Sequence, residues 1–148
     1  MSKIEAVTVR LLAADDYEAL IALWQRAGLS HRPGGRDSRE AILQQLKDGG
    51  VAIVGAKLEG KLIGAVVVSD DGRKGWINRL AVDPAHRRHG LGGRLIRAAE
   101  EELRGRGLSI FAALSEARNE ASLRLFEREG YATLDGVVYL SKRKSLDV

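Results

Sequence analysis

Apolar and polar residues alternate at strand spacing near the start of the chain. Val7, Val9 and Leu11 are separated by polar residues, which predicts a half-buried strand over residues 4–11. Three further apolar runs of strand length follow in the middle of the chain, at residues 51–58, 62–68 and 76–82. Because short turns rich in glycine and charged residues separate these runs, they predict an antiparallel meander.

Apolar residues at helical spacing predict four helices. The helices begin near Asp15, near Asp37, at Gly90 and at Ala121. Glu18 and Glu40 follow the two aspartates by three residues, a spacing typical of capping pairs. A short buried strand at 109–114 is predicted between the last two helices, and two final strands are predicted at 131–134 and 137–141.

The order of these elements is β-α-α-β-β-β-α-β-α-β(-β), which is typical of a mixed α/β fold. The 148 residues contain no repeat or linker, so we expect one domain over residues 1–148. The strand–helix–strand unit over 76–114 predicts a right-handed parallel crossover. Ligands of such sheets bind where neighbouring strands part, at the carboxyl end of a strand, which here is the stretch 82–91.

Composition narrows the function classes. Lys and Arg number 24 against 20 Asp and Glu, and the formal charge of +4 favours an anionic ligand. The chain has no cysteine, which excludes thiolate catalysis and cysteine-ligated metals, and its three histidines lack the carboxylate spacing of a metal site. No apolar run reaches the ~18 residues of a membrane-spanning helix, and the first residues do not resemble a signal peptide. We therefore expect a soluble, cytoplasmic protein with no metal and no membrane partner.

The segment between the meander and the third helix carries the candidate chemistry. It reads Leu80-Ala-Val-Asp-Pro-Ala-His-Arg-Arg-His-Gly-Leu-Gly-Gly-Arg94. Glycines let the backbone approach a ligand, and the unpaired N–H groups and dipole of a helix start attract anions. Arg87 and Arg88 add forked donors. The direct inference is a polyphosphate site, and a solvated basic turn is the alternative interpretation.

Two common phosphate-binding motifs do not fit this segment. A nucleoside-triphosphatase loop needs Gly-x-x-x-x-Gly-Lys-Ser/Thr, and the segment has no such lysine. A dinucleotide fold needs Gly-x-Gly-x-x-Gly early in a βαβ unit, which the glycines at 90–93 do not supply.

Two motifs taken together resemble a known superfamily. Arg87-x-x-Gly90-x-Gly92, after Leu-Ala-Val-Asp-Pro, resembles the cofactor motif of the GNAT superfamily of acyl-CoA-dependent N-acetyltransferases. Residues 119–131 are similar to that family's second motif, in which an Asn precedes a helix that ends in Gly and an aromatic residue. The resemblance covers nearly the whole chain and implies a GNAT-like fold, with a mostly antiparallel twisted sheet of six to seven strands and four helices.

The resemblance also implies which residues bind the expected cosubstrate, acetyl-CoA. The backbone of residues Leu80, Ala81 and Val82 is expected to bind the pantetheine arm. The pyrophosphate is expected beside the Arg87 side chain and on the amides of Arg88, His89, Gly90, Leu91, Gly92 and Gly93. Asn119 is expected to contact the pantetheine or thioester region, and Phe126 to lie near the sulfur. The implied reaction is direct attack of a primary amine on the thioester, with an N–H near Val82 stabilising the oxyanion.

The sequence departs from the family at positions that handle protons. Many members carry a Tyr where this chain has Phe126, which keeps the ring and loses the hydroxyl. Positions where some members place a basic Glu are occupied here by Trp76 or Asn78, and by Leu114. None of these side chains is an acid or a base at neutral pH.

Three other residues remain as candidates for proton transfer. Tyr139 lies on a predicted final strand, Glu116 lies in the loop after the strand at 109–114, and His31 lies in the first interhelical loop. The alternative is that catalysis relies on positioning, with water accepting the proton of the amine.

The loop at 29–37 lies where the family usually builds its acceptor pocket. The residues predicted to bind the acceptor are His31, Arg36, Trp76 and Asn78, with Arg32 and Arg79 nearby. Because cations outnumber anions here, we expect an acceptor with a carboxylate or phosphate besides its amine. A solvated basic loop is the alternative.

Three function classes are compared. The leading hypothesis is an acetyl-CoA-dependent N-acetyltransferase, with a small-molecule acceptor slightly favoured over a peptide amine. The second is a CoA-binding regulatory protein with weak or no catalysis, which Phe126 favours. The third is a nucleic-acid-binding module, which the low aromatic content of 5% disfavours, so no nucleic-acid partner is expected. Relatives often dimerise, so the resemblance is compatible with a homodimer.

Overall fold

The computed structural model describes residues 6–148, which form a five-stranded sheet with helices on both faces. The strands are β1 (Thr8–Leu11), β2 (Val51–Leu58), β3 (Lys61–Asp70), β4 (Gly75–Val82) and β5 (Phe111–Ala112). The helices are α1 (Tyr17–Arg26), α2 (Arg39–Asp48), α3 (Leu91–Gly105) and α4 (Glu120–Arg128). The strands lie in the order β1-β2-β3-β4-β5, antiparallel except for the parallel pair β4–β5. The predicted mixed α/β class and the parallel crossover are confirmed.

The two faces of the sheet bury different helices. On one face, Leu95 and Leu103 of α3 pack with Val66 of β3 and Ile77 of β4. On the other face, α1 and α2 cover the sheet with a second apolar cluster, whose members include Leu20, Leu23, Trp24, Ile42 and Ile53. Trp24 is fully buried. Strand β4 therefore lies between helix α3 and the loop that joins α1 to α2. None of the helices within residues 6–148 is long and apolar enough to cross a membrane.

The helix starts differ from the predicted capping pairs. Asp16, not Asp15, accepts a hydrogen bond from Ala13 N at 2.8 Å, in a 3-10 turn that precedes α1. Before α2, Ser38 Oγ accepts from Ala41 N at 3.1 Å. Asp37 is instead buried, where its carboxylate accepts from Arg32 N at 2.7 Å. Several neighbouring polar residues have the spacing of a capping pair. The path of the backbone decides which side chain reaches a free N–H at the helix start.

The prediction of two C-terminal strands is wrong, so the described sheet has five strands rather than six or seven. Neither 131–134 nor 137–141 pairs with a strand within residues 6–148, and Val138 and Leu140 are 76% and 86% exposed. Strand β5 is also shorter than the predicted 109–114. Alternation gives a segment the propensity to form a strand, but a strand forms only where an edge accepts it. The first strand, predicted over 4–11, begins at residue 8 in the structure. Residues 4 and 5 lie outside the described residues.

Strand β4 carries a bulge that aims one arginine away from the regular pleat. Its register with β3 shifts between the pairs Val67–Asn78 and Ala65–Ala81, which leaves an extra residue on β4. Arg79 lies in this bulge with a φ of 54°, in the left-handed region that few non-glycine residues adopt. Bulges re-aim side chains and bend strands, and they are frequent next to active sites.

Candidate active site

The parallel strands β4 and β5 part from each other soon after they meet. Their registered pairs are Gly75 with Phe111 and Trp76 with Ala112. Beyond them, the Asn78 side chain bridges the gap, because its Oδ1 accepts a hydrogen bond from Leu114 N at 3.2 Å. The second half of β4 therefore has an open edge on the β5 side within residues 6–148.

One backbone donor of β4 points into this opening. Asp83 N donates to Ile63 O at 2.8 Å, so the N–H of residue 83 faces β3. Because successive residues of a strand alternate direction, the Val82 N–H faces away from β3, toward the opening. An extended molecule laid along this edge can accept a hydrogen bond from Val82, as an added strand does.

The start of α3 lies directly after this opening and presents further donors. Gly90 is the residue before the helix, with a φ of 78°, and it supplies no side-chain cap. Arg94 N donates to Gly90 O at 3.2 Å, whereas the N–H groups of Leu91, Gly92 and Gly93 have no acceptor among residues 6–148. These three amides and the positive end of the α3 dipole form a site for an anion such as a diphosphate.

The glycines at the start of α3 serve packing as well as ligand approach. A Cβ on Gly92 would lie 2.6 Å from Leu125 Cδ2 of α4, and one on Gly93 would lie 2.9 Å from Glu129 Oε2. Of the three glycines at 90–93, only Gly90 combines a left-handed conformation with open space around its Cα. The predicted role of close backbone approach therefore applies to Gly90, and the other two glycines let α3 and α4 pack closely.

Asp83 fixes the turn between β4 and α3. Its buried carboxylate accepts hydrogen bonds from Ala85 N and from Arg26 Nε, both at 2.9 Å. Burial opposes ionisation of Asp83, but these hydrogen bonds and the charges of Arg26 and Lys61 outweigh it and lower its pKa. The sequence signal for this role is an aspartate placed as cap of the turn that begins at Pro84.

The basic residues of the turn are mainly exposed. Arg87, Arg88 and His89 are all exposed, and the Arg87 guanidinium donates to Ala27 O at 3.3 Å. Arg88 has a φ of 68°, so it and Gly90 are both left-handed. Successive N–H groups in such conformations form concave anion sites. The sequence prediction for this segment is therefore consistent with the geometry.

The second motif forms the start and the core face of α4. Asn119 caps the helix, because its Oδ1 accepts from Ser122 N at 3.1 Å. Phe126 is buried, and its ring meets the Tyr131 ring edge-on at 5.1 Å. Tyr131 Oη donates to buried Glu100 at 2.7 Å. Burial, together with this hydrogen bond, raises the pKa of Tyr131, which keeps its hydroxyl protonated.

The predicted proton-transfer residues are not brought together by the structure. Tyr139 is 67% exposed on a segment that forms no strand, so the expectation that it points inward from a strand is wrong. Glu116 is exposed in the loop after β5. His31 is half-buried, with its ring 6.4 Å from the Trp24 ring. The described residues therefore show no acid–base pair at the opening.

The predicted acceptor residues divide into two groups. His31 and Arg36 lie in the α1–α2 loop, close to Arg79 of β4. Trp76 lies at the other end of β4, paired with Ser69 and Ala112. It is six positions from Val82, which is about 20 Å along a strand. Trp76 therefore lies far from the Val82 N–H, and Asn78 bridges β4 and β5 instead.

Comparison with known proteins supports the class that this geometry suggests. The model of the acetyltransferase (GNAT) family matches residues 11–131. An acetyltransferase of Sodalis glossinidius is 30% identical over 135 residues, which cover 91% of this chain and 94% of that protein. An acetyltransferase of Pectobacterium atrosepticum is 31% identical with the same coverage.

Solved structures agree on the fold. The PaiA N-acetyltransferase of Thermoplasma acidophilum, in complex with coenzyme A, superposes with a TM-score of 0.78 at 19% identity, over 91% of this chain and 92% of that one. The acetyltransferase AAC(6′)-Iy, in complex with a CoA bisubstrate analogue, superposes with a TM-score of 0.77 at 20% identity, over 93% and 98%.

The parted strands and the uncapped helix start thus define an acyl-CoA-dependent transferase fold. The chain belongs to the acetyltransferase (GNAT) family, and it is an N-acetyltransferase that uses acetyl-CoA as cosubstrate.

Proposed function

We propose that this protein transfers the acetyl group of acetyl-CoA to a primary amine of a small molecule, by direct attack of the amine on the thioester. The proposal rests on a row of backbone N–H donors that lie one after another along the chain. The Val82 N–H faces the opening beside β5. The amides of residues 91–93 follow it in the first turn of α3.

Each part of that path suits one part of the cosubstrate. The edge of β4 at Leu80–Val82 is proposed to bind the extended pantetheine arm. The amides of residues 88–93, beside Arg87, are proposed to hold the diphosphate. When bound, acetyl-CoA supplies the activated acyl group. The Val82 N–H is then placed to donate to the thioester carbonyl oxygen, where negative charge develops during attack.

Proton transfer is proposed to use water rather than a dedicated pair of residues. An amine whose protonated form has a pKa near 10.4 must lose a proton before attack. The CoA thiolate leaves more readily, because its thiol has a pKa near 8.5. Phe126 has no hydroxyl, and Tyr131 Oη donates to Glu100. Because Glu116 and Tyr139 are exposed, neither is a positioned base or acid. Binding both reactants in the correct orientation then supplies most of the rate.

The site supports a small-molecule acceptor, whereas the structural neighbours include enzymes for both acceptor classes. Among the solved structures, AAC(6′)-Iy is an aminoglycoside N-acetyltransferase, and a Brucella melitensis protein is a ribosomal-protein-alanine N-acetyltransferase. Here buried polar groups of the α1–α2 loop and of β4 lie close together. Such groups suit a compact polar molecule that enters between the loop and the strand.

The test is release of free CoA thiol from acetyl-CoA in the presence of an amine library, with a variant that removes one donor. Val82→Pro deletes the N–H that faces the opening and leaves the β3–β4 ladder intact. Val82→Ala keeps that N–H and is the matched control. We expect Val82→Pro to lower kcat by about 100-fold, the usual loss of one oxyanion donor, while Val82→Ala stays within about threefold of wild type. Binding of CoA without thiol release from any amine would support the regulatory alternative instead.

A further inference from the structure

Three buried N–H groups near the α1–α2 loop have no hydrogen-bond acceptor within residues 6–148. They are Trp24 Nε1, Arg32 Nε and Arg79 Nε. A buried N–H without an acceptor destabilises the folded protein, so most proteins pair such groups. All three side chains belong to the loop, to the helix before it or to the bulge of β4. One local feature is therefore expected to explain all three.

The Arg79 side chain links these groups. Its guanidinium carbon lies 4.2 Å from the centre of the Trp24 ring, a stacked cation–π arrangement. One of its terminal nitrogens donates to Ser30 O at 2.8 Å and lies 3.8 Å from the Asp37 carboxylate. The bulge gives Arg79 this direction, since a regular β4 has no extra residue at this point. The fold thus holds an arginine rigidly and leaves its Nε unused.

The charge at this place is positive in excess. Arg32, Arg36 and Arg79 are cationic, whereas Asp37 is the anionic side chain in contact with Arg79. Burial lowers the pKa of the Arg79 guanidinium, Asp37 raises it, and Arg36 and Arg32 lower it further. Arg36 Nη1 donates to Val148 O at 2.7 Å, so Arg36 contributes charge while one of its donors is occupied. A bound anion would relieve the repulsion among these three arginines.

We propose that Arg79, Arg32 and Trp24 form a binding site for a carboxylate carried by the acceptor amine. The site rests on the proposed function, because it names the acceptor class of the same transfer reaction. Arginine presents planar, forked donors that match a carboxylate, and Trp24 adds a neutral N–H from a fully buried ring. Asp37 binds Arg32 N and lies beside Arg79, and in this way it positions both arginines.

The direct test compares amines that differ only in charge. The ω-amino acids from glycine to 6-aminohexanoate are each assayed against the corresponding primary amide, with spermidine and aminoethyl phosphate as further arms. We expect at least one acid to exceed its amide by tenfold or more in kcat/KM, mainly through KM. A higher kcat/KM for aminoethyl phosphate than for every amino acid would overturn the carboxylate assignment. Equal rates for every acid and its amide would overturn the anion site.

Variants separate recognition from folding. Arg79→Gln and Arg32→Gln are each expected to raise KM for the preferred acid at least tenfold and to leave the amide within about threefold. Arg73→Gln removes one positive charge from the exposed β3–β4 turn and is the matched control. Because Arg79 is stacked on Trp24 and its loss risks misfolding, the Arg32 variant keeps the test decisive. Unchanged discrimination in the Arg32 variant would contradict the site as described.

A binding measurement makes the result independent of turnover. Trp76→Phe leaves Trp24 as the remaining tryptophan, so its fluorescence reports on this site. The acetylated ω-amino acids and their amides are the probes. We expect the acids to bind at least tenfold more tightly, and Arg32→Gln to remove the difference. If the protein releases no thiol with any amine but still distinguishes these probes, the transfer proposal fails and the carboxylate site stands. Equal binding of acid and amide, or binding of neither, overturns the site alone.

Discussion

Arg26 Nε, at the end of α1, donates to the Asp83 carboxylate at 2.9 Å, at the end of β4. The two residues are 57 positions apart in the chain. A second nitrogen of Arg26 donates to Leu62 O at 3.0 Å, so the same side chain also contacts β3. This ion pair joins the helix before the acceptor loop to the turn before α3. It therefore fixes the proposed acceptor side and the proposed cofactor side of the site relative to each other.

The Asp83→Asn variant tests this connection. It removes the charge that pairs with Arg26 while keeping an oxygen that can accept from Ala85 N. We expect a loss of about 1–3 kcal/mol in the free energy of unfolding, since a hydrogen-bonded buried charge is replaced. We also expect KM for acetyl-CoA to rise several-fold, because the turn before α3 loses its anchor. Urea denaturation and steady-state kinetics measure the two effects.

Asp135→Asn, in an exposed turn, is the control for loss of a carboxylate. It should change neither quantity. An Asp83 variant with wild-type stability and KM would show that the ion pair does not hold the turn.

Gly92 tests the packing of α3 against α4. Gly92→Ala places a Cβ 2.6 Å from Leu125 Cδ2, and we expect a loss of about 1 kcal/mol in unfolding free energy. In a Leu125→Ala background the clash is absent, and the same substitution should stabilise by up to ~1 kcal/mol because alanine favours helix. Gly105→Ala, also in α3 but with open space around it, should stabilise in both backgrounds. The double-mutant cycle gives the coupling energy. A Gly92 effect that is independent of residue 125 would contradict the packing role.

The lowered pKa of Asp16 predicts that the free energy of unfolding depends on pH. Burial opposes its ionisation, but hydrogen bonds from Ala13 N, Lys57 and Arg10 outweigh burial and lower its pKa to about 2. A carboxyl whose folded pKa is depressed stabilises the fold above the unfolded pKa of about 3.9, and this stability is lost as pH falls through the folded pKa. We expect about 1 kcal/mol from this group, after allowance for solvent screening, to disappear between pH 5 and pH 2.

Asp16→Asn is the matched variant, because it removes the titrating group and keeps the side-chain shape. Urea denaturation from pH 7 to pH 2 should show a flatter profile for this variant than for wild type. Parallel profiles would mean that Asp16 has an ordinary pKa in the folded protein.

Phe126→Tyr tests whether a hydroxyl at this position is missing or unnecessary. The Phe126 ring is buried against Tyr131, so an added hydroxyl without a partner should cost about 1–2 kcal/mol of stability. Because water is proposed to accept the proton of the amine, we expect kcat to stay within about threefold of wild type. An increase of kcat by orders of magnitude would show instead that the natural protein lacks a general acid.

Much of the fold was predictable because it follows from local patterns. The meander and the four helices follow from residue spacing. The C-terminal strands were not predictable in the same way. Val137–Leu140 have strand propensity, but whether they pair depends on an edge that the rest of the fold must provide.

The proposed cofactor side of the site follows from local sequence spacing, and the proposed acceptor side does so less. Gly90 and the basic turn lie together in the sequence, so their spacing carries the signal for an anion site. Arg79 meets Trp24 only through the bulge in β4, and Arg26 meets Asp83 only when α1 is packed on the sheet. Such contacts join distant segments and leave no local pattern. Trp76 was predicted to bind the acceptor because sequence spacing alone does not show how far it lies from the Val82 N–H.

The most direct test of the account is an NMR titration of the ¹⁵N-labelled protein with CoA and, separately, with pantetheine, which lacks the diphosphate. CoA is predicted to shift the amide signals of Val82 and of Leu91, Gly92 and Gly93, because it spans the opening of β4 and the start of α3. Pantetheine is predicted to shift Val82 and to leave the three α3 amides unchanged. Binding of CoA that leaves residues 91–93 unshifted would contradict the claim that this helix start holds the diphosphate.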